Sequence, residues 1–455
     1  MTIPYQYQIE GAQAMHDFGG RVLLADEMGL GKSLETLLYA QLHPKARPIL
    51  IVCPASLKWN WAHEVTLHTN LRSEILEGTK PGKEGLLKTC PILIINYDIL
   101  GAWLFFLLEL QPQLLILDEV HYIKNRFSKR SKAVKILCKQ IPHVLALSGT
   151  PLTNRPVELW PVLNCLRPDL YPSFMAYGQR YCGPRRVPWG SGWEFKGATH
   201  LGELHRSLLQ KVMIRRRKAD VLSQLPEKQR ITVALAISDR KQYDYAVQDF
   251  ISWLAQYDPA KLSSAQRAER LVRMGYLKRL AGLLKLTFVM DWIDDFLEDS
   301  DGKLVLFALH KKVIRGLAKR YHNLCIVVDG SITGKERQLS VQKFQSNSAT
   351  RLFIGNLKAA GVGLNLTAAT TVAFAEMSWT PGEHVQAEDR CHRIGTKSAV
   401  SVYYLIGKDT VEEYLAKLIQ EKHQSLNSVL DNGRVQHSLD IFDQLSKAIL
   451  KQQRG

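Results

Sequence analysis

Five short apolar runs, at residues 21–25, 48–53, 92–96, 114–118 and 144–147, alternate with stretches of helical periodicity such as 32–42 and 131–139. Each run is apolar on both faces of an extended chain, which suits a buried parallel strand rather than a half-solvated antiparallel one. Repeated βα units of this kind imply a parallel sheet with helices on both sides. From about 156 to 225 strand signals thin out, and prolines, glycines and basic residues take their place. Residues 238–300 then read as helical, with amphipathic stretches at 240–253 and 265–296. Strand-like runs resume at 304–309, 325–328, 352–355, 371–374 and 400–406. The pattern predicts an α/β protein with two parallel-sheet lobes around a helical middle. The boundary after the first lobe is expected at 225–235, around Leu225-Pro226-Glu227-Lys228.

The 455 residues are 46% apolar and 23% charged, which suits a packed globular chain and excludes a disordered or fibrous one. The apolar run at 102–108 stops at Glu109, well short of the ~20 residues that a membrane helix needs. The N-terminus has no basic-then-apolar leader and carries Glu10 early. Seven scattered cysteines form no C-x-x-C pair, so neither disulfides nor zinc are expected in what reads as a reduced, intracellular protein. The net charge of +17 is unevenly placed: −1 over 1–100, +11 over 101–250, 0 over 251–300, +6 over 301–350 and +1 thereafter. Two separated basic stretches suit a polyanion lying across two parts of the molecule.

Directly after the first strand comes Asp26-Glu27-Met28-Gly29-Leu30-Gly31-Lys32-Ser33, followed by a helix. Glycines there let the backbone curl its N–H groups toward phosphate oxygens, and the helix N-terminus adds partial positive charge. Lys32 can reach the β- and γ-phosphates, and the Ser33 hydroxyl can ligate Mg²⁺. The strict phosphate-loop pattern fails at its first glycine, where Asp26 stands. About 85 residues on, Leu114-Leu115-Ile116-Leu117 ends in Asp118-Glu119. The Asp suits a Mg²⁺ contact and the Glu suits activating a water. Together the two motifs imply nucleoside triphosphate hydrolysis.

Asp118-Glu119-Val120-His121 resembles the D-E-x-H box of superfamily-two helicases. Further blocks are similar to those of the Swi/Snf-type DNA translocases, in that family's order. They are Val52-Cys53-Pro54-Ala55-Ser56-Leu57 with Trp59 and Trp61, Ser148-Gly149-Thr150-Pro151, and Asp329-Gly330-Ser331. Gly361-Val362-Gly363-Leu364-Asn365-Leu366 resembles motif V, and Trp379-Thr380-Pro381 with Gln386-Ala387-Glu388-Asp389-Arg390-Cys391-His392-Arg393-Ile394-Gly395 resembles motif VI. The likeness covers about residues 5–430, and Gly19-Gly20-Arg21 resembles the annealing-helicase (HepA-related) branch. The family carries Asp where Asp26 stands. Two departures are Thr396, where Gln is usual, and Val120, where Ser, Ala or Cys is usual.

The resemblance implies two tandem RecA-like lobes, with a first ATP-binding lobe at 1–230, a helical insertion at 231–300 and a second lobe at 301–455. It implies ATP and Mg²⁺ as cofactors, with Lys32, Asp118, Glu119, Arg390 and Arg393 catalytic, the arginines reaching the γ-phosphate as fingers. Three apart, those arginines are expected on one helix face. Nucleotide contacts are expected from Gln8, Asp26, Glu27, Met28, Gly29, Leu30, Gly31, Lys32, Ser33, Gly363 and Gln386. Tyr7-Gln8 is similar to the family's adenine-reading motif, and the Gln8 amide suits the adenine edge. Ser33 and Asp118 would hold the metal, and His121, Ser148, Gly149 and Thr150 would couple hydrolysis to motion. DNA phosphates are expected at Lys58, Lys124, Asn125, Arg155, Lys311, Asn356 and Lys358. Trp59 and Trp61 read as buried core, with base stacking as the alternative. Arg215-Arg216-Arg217-Lys218 matches an R-R-x-K block of the translocases and reads as structural rather than as a nuclear signal.

The implied activity is an ATP-driven double-stranded DNA translocase that remodels or reanneals branched DNA. Alternatives are a strand-separating helicase, a remodeller that displaces proteins from DNA, and an ATP-gated clamp without hydrolysis, against which Lys32, Glu119 and both arginines argue. The partner is duplex or branched DNA, with no membrane, no zinc and a monomeric protein. The compact chain points to the cytoplasm of a prokaryote or virus-infected cell, or to the nucleus if eukaryotic.

Overall fold

The computed structural model describes residues 3–80, 87–149, 156–186, 192–195, 197–222, 224, 228–257, 263–360, 364–393, 396, 398–420, 444–446 and 449. The chain forms two compact units whose main break lies between Leu225 and Pro226.

The first unit is built on a seven-stranded sheet in the order β3-β4-β2-β5-β6-β1-β9, parallel throughout. The strands are β1 (Arg21–Leu24), β2 (Ile49–Cys53), β3 (Ser73–Ile75), β4 (Ile92–Asn96), β5 (Leu114–Leu117), β6 (His143–Leu147) and β9 (Met213–Ile214). Every residue of β2, β4 and β5 is buried, as strands covered on both faces require. The helices Leu100–Leu110 and Lys129–Gln140 bury Trp103, Phe106, Val134 and Leu137 in this unit's core. A two-residue hairpin, β7 (Arg185–Arg186) with β8 (Trp193–Glu194), lies apart from the sheet.

Strand order places the chemistry. In a parallel sheet all strands end at one edge, so the loops after β1, β6 and β5 emerge side by side there, ~5 Å apart per strand. Those three loops carry the phosphate loop, Ser148-Gly149 and Asp118-Glu119. At the opposite edge Arg21 donates to the carbonyls of Leu166, Ile141, Pro142, Cys138 and Cys165, tying β1 to the elements around it. Gly20 beside it has φ +71°, and a Cβ there would meet His143 Nδ1 at 2.3 Å and Tyr39 Oη at 2.4 Å. The Gly19-Gly20-Arg21 signature therefore has a structural reason.

The second unit has a six-stranded parallel sheet, β10-β15-β14-β11-β13-β12. Its strands are β10 (Lys228–Leu235), β11 (Leu304–Ala308), β12 (Cys325–Val328), β13 (Leu352–Asn356), β14 (Thr371–Phe374) and β15 (Val400–Gly407). The α/β expectation holds, and each anticipated strand lies within a residue or two of its run. Strands β3, β9 and β10 were not anticipated. The first two are two or three residues long, and β10 is an edge strand with a polar start and mostly exposed side chains. The region 265–296 is two helices rather than one, Ser264–Leu284 and Leu286–Asp299. The break is at Lys285, whose buried ammonium donates to the Leu405 carbonyl and the Glu412 carboxylate. A fully buried cation needs such partners, and they hold the chain at this break.

Candidate active site

The phosphate loop curls as its glycines allow. Gly29 and Gly31 sit at φ +85° and +81°, a region that disfavours any Cβ, and Gly31 caps the helix Lys32–Leu42. Around the loop lies a scaffold of hydrogen bonds. Tyr7 Oη and Gln8 Nε2 both donate to the Leu30 carbonyl, at 2.8 and 3.0 Å. Asp26 is fully buried and accepts from the Arg216 backbone N–H (2.9 Å) and guanidinium Nε (2.8 Å). Arg215 donates to the Ala25 carbonyl, the Glu27 N–H donates to the Arg216 carbonyl, and the Lys218 N–H donates to Glu27 Oε2. The basic block thus runs along the loop and clamps it.

Arg216 also pairs with Glu35 on the following helix, so one guanidinium serves two buried carboxylates. Burial, then the charge of Asp26, pushes the Glu35 carboxyl up to about 8, against the pull of Arg216. Met28 and Leu30 pack inward. Lys32 Nζ donates to the carbonyls of Asp26 (2.7 Å) and Glu27 (3.3 Å). Burial lowers its pKa, while Asp26, Glu119 and Asp118 oppose that shift. The two acids at the end of β5 therefore act electrostatically on the loop lysine.

Asp118 is held on both oxygens. Its Oδ2 accepts from the buried Trp61 Nε1 at 2.8 Å, and its Oδ1 accepts from the Glu119 N–H at 2.9 Å. Burial, then the neighbouring Glu119 charge, lifts its carboxyl to about 6, opposed by the two hydrogen bonds and Lys32. Glu119 has φ +48°, a left-handed conformation costly for any residue but glycine. The turn aims its carboxylate toward His121, whose Nδ1 is 3.2 Å from Glu119 Oε2. Between the two motifs, Ser148 is buried and donates its N–H to the Leu24 carbonyl. A Cβ on Gly149 would lie 2.3 Å from Met28 Cγ and 3.5 Å from Lys32 Nζ, so its backbone lies against the phosphate loop.

In the second unit, the helix Pro381–Glu388 presents Glu388 and Asp389 to β10. Glu388 pairs with Lys228 (2.9 Å) and Arg230 (2.7 Å) and accepts from Tyr404 Oη (2.6 Å), and Asp389 pairs with Lys228 (2.8 Å). Despite its burial, these cations and hydrogen bonds hold the Glu388 carboxyl far below the usual range. Arg390 donates to the Gln386 carbonyl (3.0 Å), and Arg393 donates to the Leu364 carbonyl (3.4 Å). The helix stops at Glu388 with Asp389 as its C-cap, so both arginines stand in the turn beyond it rather than on one helix face.

Other expected positions resolve differently. Gln8 is buried, with its Oε1 accepting from the Tyr5 N–H as well, so its amide serves the loop scaffold instead of facing outward. Lys58 is buried and donates to the Leu76 carbonyl (3.0 Å), which removes it from the surface. Asn356 donates to the Leu309 carbonyl and caps the helix Leu357–Ala360 through the N–H groups of Lys358 and Ala359. Lys311 and Lys358 are exposed, as are Lys124, 3.8 Å from Glu158, and Asn125. Trp61 is core as read, whereas Trp59 is partly exposed. Thr150, Arg155 and Gly363 lie outside the described residues. The parts that sequence reading missed are Arg216 as the loop clamp, Trp61 as the Asp118 donor, and Lys228 with Arg230 as partners of Glu388. The match of Arg215-Arg216-Arg217-Lys218 to an R-R-x-K block was the available signal for the first; nothing local marks the others.

A phosphate loop and a strand-borne acid pair on a parallel sheet, followed by a second parallel-sheet unit, define a nucleoside triphosphatase of the two-lobed motor class. The SNF2-related domain model matches residues 7–284, and the helicase conserved C-terminal domain model matches 285–395. The chain belongs to the SNF2-related family. It is 35% identical over 423 residues to the SWI/SNF-related matrix-associated actin-dependent regulator of chromatin subfamily A-like protein 1 of Xenopus tropicalis, covering 91% of this chain and 44% of that one. It is 32% identical to the DNA annealing helicase and endonuclease ZRANB3 of Homo sapiens, over 91% of this chain and 39% of that protein. This chain thus spans less than half the length of these relatives. A solved Sulfolobus solfataricus SWI2/SNF2 ATPase core in complex with dsDNA is 25% identical, covering 95% of this chain and 94% of that one, with a TM-score of 0.45.

Proposed function

We propose that the chain is an ATP-dependent translocase on double-stranded DNA that remodels or reanneals branched substrates. The observation that carries this reading is the clamped phosphate loop with Asp118 and Glu119 set beside Lys32, in a chain of the SNF2-related family. The donor set fits a magnesium–nucleotide: the glycine turn and helix N-terminus for phosphate, and the Ser33 hydroxyl and Asp118 carboxylate as hard oxygen ligands. When bound, Mg²⁺ neutralises charge on the transferring phosphoryl group. Lys32 leaves its carbonyl partners for the phosphates, and Glu119 orients the attacking water. Arg390 and Arg393 are assigned to the γ-phosphate from the second unit by family resemblance. Contraction and release of the two units then moves the protein along a backbone gripped through phosphates. In this reading the protein acts as a monomer without zinc, in the compartment that holds the DNA. Among the described residues no helix is long and apolar enough to cross a membrane.

The test is ATP hydrolysis by the purified chain with linear duplex, single-stranded, forked DNA and RNA compared. Stimulation by duplex DNA, with triplex displacement but no unwinding of a fork, is the expected result. Stimulation by single strands alone together with fork unwinding would replace the translocase by a strand-separating helicase. Glu119→Gln should bind ATP and not turn it over.

A further inference from the structure

We infer that the outer face of the helix Lys129–Gln140 is a second docking surface for duplex DNA, which holds one arm of a branched substrate while the motor tracks on another. The inference rests on the reading of the chain as a DNA-tracking ATPase. Residues 124–139 contain seven Lys and Arg and no Asp or Glu, a large share of the net +17. Lys129, Lys132, Lys135 and Lys139 are all exposed, and their helical spacing gathers them, with half-exposed Ile136, on about one third of the circumference. Lys124 and Arg130 have carboxylates at 3.8 and 4.0 Å, from Glu158 and Asp98. Among the described residues the four lysines of the stripe have no carboxylate partner.

This arrangement works against the helix. Lys129 and Arg130 stand in its first turn, where the macrodipole favours acids, and no acid is there. Lys129/Lys132, Lys132/Lys135 and Lys135/Lys139 are like charges at i,i+3 and i,i+4 spacing, which destabilise a helix. A merely solvated face would mix signs. Phosphates opposite the stripe reverse the sign of each of these terms. The stripe spans ~15 Å from Lys129 to Lys139, the length of about four phosphates along one strand of a duplex. Direction also matters. The helix leaves the strand edge that carries Asp118 and Glu119 and runs back to the start of β6, so the stripe leads away from the nucleotide edge. Phe127 stands exposed at its head, with the Arg126 guanidinium 4.5 Å above its ring.

The experiment compares the full chain with a Lys129→Gln, Lys132→Gln, Lys135→Gln, Lys139→Gln variant, and with the same four positions changed to Arg. Affinity for forked and for linear duplex DNA of equal length is measured against salt, together with duplex-stimulated ATPase and thermal unfolding. Losing four phosphate contacts should lower the slope of log affinity against log salt for forked DNA by about three to four. The linear-duplex slope and the stimulated kcat should stay unchanged, the Arg variant should keep the fork slope, and the Gln variant should unfold at an equal or higher temperature. An equal fall on both DNAs would merge the stripe with the main track and overturn the second site. No change on either DNA would overturn it too. A wild-type ATPase that no DNA stimulates would instead remove the underlying functional reading.

Discussion

Trp61 and Arg216 show how much of the site is set by single side chains outside the catalytic list. Trp61 donates to Asp118 from the helix Lys58–His68, so a residue that reads as core also holds the carboxylate proposed for the metal. The Asp118 pKa is raised to about 6 mainly by burial. For an acid raised in this way, the folded state disfavours the ionised form, so stability falls as pH rises from about 4 through 6. Asp118→Asn should therefore stabilise the protein more at pH 7 than at pH 4, in paired urea titrations. Trp61→Phe keeps an aromatic side chain, smaller than the indole, and removes the donor. The carboxyl should then rise further, and the acid limb of the Mg²⁺-dependent ATPase should move up by about one to two pH units, since a hydrogen bond to a charged group is worth ~1.5–3 kcal/mol. ATP binding without Mg²⁺ should not change; an unmoved acid limb would show that the bond does not tune the carboxylate. Arg216→Gln is a harsher change. It leaves Asp26 and Glu35 buried without their cation, and breaking such a buried set costs about 3–5 kcal/mol. A loss below ~1 kcal/mol in urea unfolding would mean that the loop is held by its backbone bonds alone.

Gly149 belongs to the scale of elements, because it is where the end of β6 touches the phosphate loop. A Cβ added there meets Met28 Cγ at 2.3 Å, so Gly149→Ala must displace the Met28 side chain that the loop packs inward. The strain should cost ~1–3 kcal/mol and weaken ATP binding, and adding Met28→Ala should restore both; failure of that rescue would place the clash elsewhere. Elements with a strong local signal were legible beforehand. The apolar runs of β2, β4, β5 and β11 are wholly buried, and the helix Lys32–Leu42 begins at the glycine turn that announced it. What sequence could not show depends on distant partners. Strand β10 looks polar until β15 pairs along its full length, and the helix break at Lys285 is held by Leu405 and Glu412, some 120 residues away. The catalytic motifs were readable because each is a contiguous string. Their supports were not, because Trp61 with Asp118, and Arg216 with Asp26, meet only after folding.

For the molecule as a whole, the phosphate loop and the acid pair belong to the first unit, while Arg390 and Arg393 belong to the second. The buried acids beside each set of motifs find their cations within their own unit. Asp26 and Glu35 are answered by Arg216 within the first, and Glu388 and Asp389 by Lys228 and Arg230 within the second. The acids flanking the motif VI arginines are thus served by β10. If both arginines act on the nucleotide held by Lys32, their loss should leave binding nearly intact and remove transition-state stabilisation. Arg390→Ala and Arg393→Ala are then expected to bind ATP within a few fold of wild type, to keep the duplex affinity and its salt dependence, and to lose ~10³–10⁵ in DNA-stimulated kcat for a true finger. Equilibrium nucleotide binding and single-turnover hydrolysis, measured side by side, separate these effects. If kcat survived in both variants, the arginines would be supports of the second unit, and its part in hydrolysis would have to come from other residues.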